Sequence, residues 1–220
     1  MKLVIYGAGG LGREMLALLR ASDPGGQWNF IGFVDDGKRP GTRVGDAGVL
    51  GGLDWFLSEE EPVAVVMGLA DPSAKASLYE KLSGLPNARI KFPVMIHPLA
   101  HVEPSASFAQ GTVIFPFCFI AVEASMGVCS FLNTASYLGH DSIVGDFCSV
   151  MPNANISGNV TIRSGTFVGS GANILQGLKI GSDATVGMGS VVLRDVPDGC
   201  TVVGNPAQAK KIDKTRKGVL

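Results

Sequence analysis

"VMPNANISGNVTIRSGTFVGSGANI" (residues 150–174) repeats itself every six residues. Val150, Ile156, Ile162, Val168 and Ile174 hold its aliphatic position, and the register extends both ways without a slip. Backwards it passes through Val144, Leu138, Leu132 and Met126 to Ile96; forwards it reaches Val192. All seventeen residues on this register are apolar. Four places later the residues are mostly small, from Ala100 and Ala106 through Cys118, Ser130 and Ser142 to Cys148 and Ala154. A period of six is neither the 3.6 of a helix nor the 2 of an ordinary strand. It marks a stacked repeat, in which no unit buries its own apolar face and each neighbour covers the last. One aliphatic side chain per repeat points inward, a small residue lets the chain turn, and glycines are expected to relieve the turns. The pattern is expected to stop near "VPDGCTVVGNPAQ" (196–208), where Pro197 and Pro206 interrupt it.

Upstream of Ile96 the periods are those of strand and helix. "KLVIY" (2–6), "NFIGFVDD" (29–36), "PVAVVMG" (62–68) and "RIKFPVMI" (89–96) read as four strands. Between them, "GLGREMLALLR" (10–20) puts Leu11, Met15, Leu18 and Leu19 on one helical face. "DPSAKASLYEKL" (71–82) opens with Asp71 as N-cap and Pro72 at the first helical position, with Ala74, Leu78 and Leu82 as its apolar stripe. Strands alternating with helices imply right-handed crossovers and a parallel sheet. Four strands make half of a dinucleotide fold. The reading is therefore an α/β half-Rossmann domain over 1–94, a parallel β-helix of hexapeptide repeats over 95–203 and a tail over 204–220.

The net charge is −1, from 18 basic and 19 acidic residues, so no overall field draws the chain to nucleic acid or an anionic membrane. No apolar run approaches the roughly 20 residues that span a bilayer. Four cysteines without CxxC spacing and no charged leader point to a cytoplasmic protein with reduced thiols.

"GAGGLG" (Gly7, Gly9, Gly12) follows a strand and opens a helix, where backbone N–H groups can cradle a phosphate. Asp35 and Asp36 end the next strand, within reach of a ribose or base; the bland reading is a packing turn with two solvated carboxylates. The half-sized fold argues against NAD-dependent redox chemistry and suits a nucleoside diphosphate. His140 is the only histidine of the repeat beyond its first coil, and it adjoins Asp141. An imidazole beside a carboxylate can act as a base at neutral pH. Adjacent strand residues point to opposite faces, so the pair can meet only if the chain bends, and Gly139 offers the bend. His97 and His101 read as capping or packing residues, and Cys118 and Cys148 as core. The basic tail (Lys210, Lys211, Lys214, Arg216, Lys217) reads as a solvated terminus. One suitable histidine does not make a catalytic zinc site, which needs three protein ligands, so no metal is implied.

"YGAGGLGRE", "GFVDD", "NTASYLGHDSIVGDF", "ISGNVTI" and "VVGNPAQ" together resemble the NeuD/PglD family of bacterial sugar acetyltransferases, across nearly the whole chain. The resemblance implies three hexapeptides per triangular coil, left-handed winding and a homotrimer. It implies acetyl transfer from acetyl-CoA to the amino group of a nucleotide-linked amino sugar, the 4-amino-4,6-dideoxy type foremost. His140 would be general base and Asp141 its helper. Gly9, Gly10, Leu11, Asp35, Asp36, Gly68 and Asn133 would bind the nucleotide sugar. Gly158, Ser170 and Met188 would line a coenzyme groove between two prisms. Two other readings stay open: O-acetylation of a sialic-acid-like sugar, and a non-catalytic trimeric scaffold. The base (UDP, dTDP or GDP) is also open.

Overall fold

The computed structural model describes residues 1–85 and 90–210. Its first part is a six-stranded sheet in the order β3-β4-β2-β1-β5-β6. The strands are β1 (Lys2–Tyr6), β2 (Asn29–Val34), β3 (Arg43–Val44), β4 (Ala47–Gly51), β5 (Val63–Met67) and β6 (Ile90–Lys91). All neighbours pair in parallel except β3 and β4. Helices α1 (Gly10–Ser22) and α2 (Pro72–Ser83) make the crossovers. The four-strand reading missed β3 and β4, whose signal is short: Gly45-Asp46 between two apolar residues forms a hairpin, with Gly45 at φ +64°. The expected strand over 29–36 ends at Val34, freeing both aspartates.

The expected strand over 89–96 is two strands. β6 closes the α/β sheet, whereas Met95–Ile96 is the first rung of the solenoid. Arg89 lies outside the described residues, as do Lys211, Lys214, Arg216 and Lys217. α2 is capped as its sequence requires, with the Asp71 carboxylate accepting from the Ala74 N–H at 2.8 Å. Its buried stripe is not the expected one. Lys75, Leu78 and Leu82 face inward while Ala74 is exposed.

Seventeen two-residue strands follow at intervals of six, from Met95–Ile96 to Val191–Val192, in three parallel faces. The first face carries seven parallel rungs, the last being Thr201–Val203; Gln208–Ala209 then folds back antiparallel against it. The repeat therefore continues past Pro197 into the stretch expected to end it. Stacking is by 18 residues, so Ile114 lies on Leu132 and Leu132 on Val150. From Ile114 onward these inward side chains are almost wholly buried, as are the small residues four places on, whereas those of the first coil are half-buried. The small slot also hydrogen-bonds. Ser130, Ser142 and Thr166 hydroxyls donate to carbonyls fifteen residues ahead, Gly145, Ser157 and Gly181, at 2.6–2.8 Å. Cys118 and Cys148 occupy the same slot, and burial pushes both thiols up to about 11.

Every sixth residue from 111 to 189 has a positive φ, and nine of these fourteen corners are not glycine. Glycines were expected there, but most of the solenoid's glycines serve close stacking. A Cβ on Gly139 would stand 2.5 Å from the Gly158 nitrogen in the next coil. The bend between His140 and Asp141 accordingly lies at Asp141 (φ 58°), a residue type that tolerates the left-handed region better than most.

The α/β part packs on the first face and buries the outward residues Met95, Val113, Phe131 and Ser149. Lys75 is the peg of this contact, 0% exposed. Its Nζ donates to the Cys148 carbonyl at 2.8 Å and lies 4.6 Å from the Phe131 ring centroid. The Ser149 hydroxyl donates to the Ala70 carbonyl at 2.7 Å.

Candidate active site

The 18-residue stacking sorts the expected site residues onto two solenoid edges. Pro116, Thr134, Pro152, Ser170 and Met188 form the edge between the first and second faces. His140 and Gly158 lie on the edge between the second and third.

On the second edge, the Asp141 Oδ2 lies 2.8 Å from the His140 Nδ1. A carboxylate is an acceptor only, so the neutral ring carries its proton on Nδ1 and leaves Nε2 as a bare acceptor. The imidazole is half exposed, and it lies over Gly158. A Cβ there would fall 2.3 Å from Nε2, which is the local reason for glycine one coil beyond the histidine.

On the first edge, a cleft of about 610 Å³ opens between α1 and the solenoid. It brings together Gly10, Leu11, Asn133 and Ser170, three expected sugar residues and one expected coenzyme residue. Asn133 is 4% exposed, and its Oδ1 accepts from the Thr134 N–H at 2.7 Å. Met188, 71% exposed, lies one coil past Ser170 on the same edge. α1 has Gly9 as its N-cap, with no side-chain cap and no acid in its first turn, so its leading N–H groups are left for a ligand or solvent.

Asp35 and Asp36 are not in this cleft. They line a smaller one, about 360 Å³, on the other side of the glycine loop. Nor are they solvated bystanders. Asp35 accepts from the Ala8 and Gly37 N–H groups at 2.7 and 2.9 Å. Asp36 accepts from the Leu53 N–H at 2.8 Å and from the Tyr6 hydroxyl. Burial, then this bond to Asp36, pushes the Tyr6 hydroxyl above the ordinary phenol range. Gly68 is buried beneath the loop, where a Cβ would lie 2.7 Å from the Gly12 Cα.

His140 does not line the cleft that holds Gly10 and Asn133. The two edges bound opposite sides of the second face, roughly 15–20 Å apart at about 3.3 Å per extended residue. The expected coenzyme residues are likewise divided, Gly158 on one edge and Ser170 with Met188 on the other. Two cleft residues of chemical interest escaped the sequence reading as ligand contacts. Glu14 lies one helical turn after Gly10 and Leu11. His97 lies two coils before Asn133, a relation visible by counting back 36 residues. It caps as expected, with Nδ1 accepting from the Leu99 N–H at 3.1 Å. His101 packs as expected, stacked on Phe119. No metal-binding group of His, Cys, Asp and Glu occurs among the described residues.

Residues 2–82 match the PglD N-terminal domain family. The chain is 32% identical to GDP-perosamine N-acetyltransferase of Escherichia coli O157:H7, covering 96% of this chain and 97% of that one. It resembles the acetyltransferase domain of PglB from Neisseria gonorrhoeae, solved with acetyl coenzyme A, at 31% identity and a TM-score of 0.85; 95% of this chain and 98% of that one are covered. A histidine-to-asparagine mutant of perosamine N-acetyltransferase from Caulobacter crescentus, solved with CoA and GDP-perosamine, superimposes with a TM-score of 0.88. Its identity is 27%, over 96% of this chain and 98% of that one. With both halves present in the same order, and relatives matched from end to end, the chain belongs to the NeuD/PglD family of hexapeptide-repeat sugar acetyltransferases.

Proposed function

We propose that this protein moves acetyl from acetyl-CoA to the primary amine of a nucleotide-linked 4-amino-4,6-dideoxy sugar, with His140 as general base. The observation that carries the reading is the His140–Asp141 bond, which in the neutral ring leaves Nε2 free to accept a proton, on a half-exposed side chain. In the proposed step the amine attacks the thioester carbonyl and Nε2 takes its proton. The tetrahedral intermediate then collapses with C–S cleavage, and the imidazolium returns the proton to the departing thiolate. Asp141 orients the ring and favours the imidazolium, without taking the proton itself.

The separation of His140 from the cleft supports a homotrimer, in which the histidine edge of one prism meets the cleft edge of the next. The second face between those edges is exposed and aromatic. His101, Phe119 and Tyr137 stack there with centroids 4.6 and 5.6 Å apart, flanked by exposed Val122, Ile143 and Leu175. Such a surface is unusual on a monomer. Acetyl-CoA would run along the groove, past Gly158 on one prism and Ser170 and Met188 on its neighbour. The first-turn N–H groups of α1, including those of Gly10 and Leu11, would take phosphate oxygens, with Gly9 leaving the approach open. Asp35 would hold the glycine loop in shape through the Ala8 N–H while Asp36 ties Tyr6 to Leu53, both keeping spare lone pairs for the ribose or base, and Gly68 would support the loop from below. Residues 1–94 would thus select the acceptor while 95–203 carry the chemistry. The four cysteines form no disulfide with one another, which fits the proposed cytoplasmic setting.

Thiol release from acetyl-CoA, measured with GDP-, UDP- and dTDP-linked 4-amino sugars, tests this reading. One of them is expected to be acetylated by a protein that sediments as a trimer at micromolar concentration. Acetylation of free sialic acid alone would replace the reading with the O-acetyl one. No transfer to any acceptor would leave the scaffold.

A further inference from the structure

The cleft between α1 and the solenoid is nearly uncharged. Among its lining residues Glu14 is the single carboxylate, His97 is the other titratable side chain, and neither Lys nor Arg is present. Among the described residues Glu14 has no ion-pair partner. A diphosphate would therefore find no side-chain cation there. An amine would find a carboxylate.

We propose that Glu14 is the residue that recognises the acceptor's amine, and so selects an amino sugar over its hydroxyl counterpart. The assignment rests on the acetyl-transfer reading above and deepens it. A primary amine with an α-amino-like pKa of about 8 arrives at neutral pH largely as ammonium. A carboxylate accepts a charge-assisted hydrogen bond from that ion and an ordinary one from the free amine, so Glu14 holds the nitrogen in either protonation state. A sugar hydroxyl in the same place offers one uncharged donor. Glu14 also has room to adapt: it stands on the exposed part of α1, one turn beyond the uncapped helix start, so its carboxylate and the phosphate-attracting N–H groups lie at neighbouring points of the same cleft. His97 adds a second polar contact. Its Nδ1 accepts from the Leu99 N–H, so its neutral ring carries the proton on Nε2, a donor suited to a sugar oxygen.

The test compares wild type with Glu14→Gln and Glu14→Asp, using a nucleotide-linked 4-amino sugar and its 4-hydroxy analogue. In Glu14→Gln the KM for the amino sugar is expected to rise about 10-fold or more, with the KM for acetyl-CoA unchanged and kcat little altered. Calorimetric affinity for the hydroxyl analogue should stay within about 2-fold, and Glu14→Asp should recover part of the loss. An exposed helical position makes misfolding an unconvincing excuse, and an unchanged acetyl-CoA KM controls for it. If the wild type acetylates the amine and Glu14→Gln does so with unaltered KM, the assignment fails alone. Equal weakening of amine and hydroxyl ligands also overturns it, since a general packing role would do that. A wild type that binds neither nucleotide sugar overturns the acetyl-transfer reading and this assignment with it.

Discussion

Replacing His140 with alanine is expected to lower kcat by about 10²-fold or more while the Kd for acetyl-CoA hardly moves. In the proposed step the imidazole would act on the attacking amine, whereas the coenzyme would be held by other groups along the groove. A loss of that size corresponds to about 3 kcal/mol of transition-state stabilisation, within the ordinary range for a general base. Asp141→Asn should cost less. Asparagine tolerates the left-handed corner that Asp141 occupies, and its side-chain oxygen can still accept from Nδ1. What it removes is the negative charge that favours the imidazolium. Gly158→Ala should also lower kcat without touching either residue, because the new methyl would displace the ring from above the coil. Steady-state kinetics on the three variants separates these effects. Wild-type turnover in His140→Ala would end the assignment, and a loss in Asp141→Asn as large as in His140→Ala would make the carboxylate more than a helper.

The second large effect is expected at Lys75, in the contact between α2 and the solenoid. Lys75→Ala should destabilise the protein by about 2–4 kcal/mol, from the cavity left by its buried side chain, the lost contact of Nζ with the Phe131 ring and the unmade bond to the Cys148 carbonyl. Burial lowers the Lys75 ammonium to about 7, against 10.5 for an unhindered lysine. Between those values the unfolded chain binds a proton that the folded chain does not, so folding is favoured as pH rises. The stability is fully present above the unfolded value and is lost as pH falls through the window towards about 7. The Cys129 and Cys148 thiols facing Lys75 are pushed up by burial to about 12 and 11, and stay neutral across the lower part of this window. Asp71, nearby on the same helix, is held down by its bond to Ser73 and stays ionised. Denaturant unfolding of wild type and Lys75→Met, compared from pH 7 to 9, should show wild type gaining about 1 kcal/mol per pH unit relative to the variant. A pH-independent difference would mean that the ammonium keeps its charge inside the protein.

These two sites differ in how far they could be read from residues alone. The hexapeptide register determined the solenoid, because each coil stacks on its neighbours and the same contact between equivalents 18 residues apart is repeated along it. The pairing of His140 with Asp141 was equally legible, since neighbours in the chain need only a bend to meet. The sequence could not say where that bend lies: Gly139 was the obvious candidate, yet close stacking on Gly158 claims it and Asp141 takes the left-handed corner. Lys75 shows the same limit on α2. A stripe through Ala74, Leu78 and Leu82 and one through Lys75, Leu78 and Leu82 differ by a small rotation of the helix. That rotation is fixed by where the Cys148 carbonyl and the Phe131 ring stand on another part of the chain. Tertiary structure alone likewise parted Asp35 and Asp36 from Gly10, and His140 from Asn133. Local spacing encodes contacts made within a turn or a coil; which edges and faces then meet depends on packing between elements distant in sequence, and no short-range pattern records it.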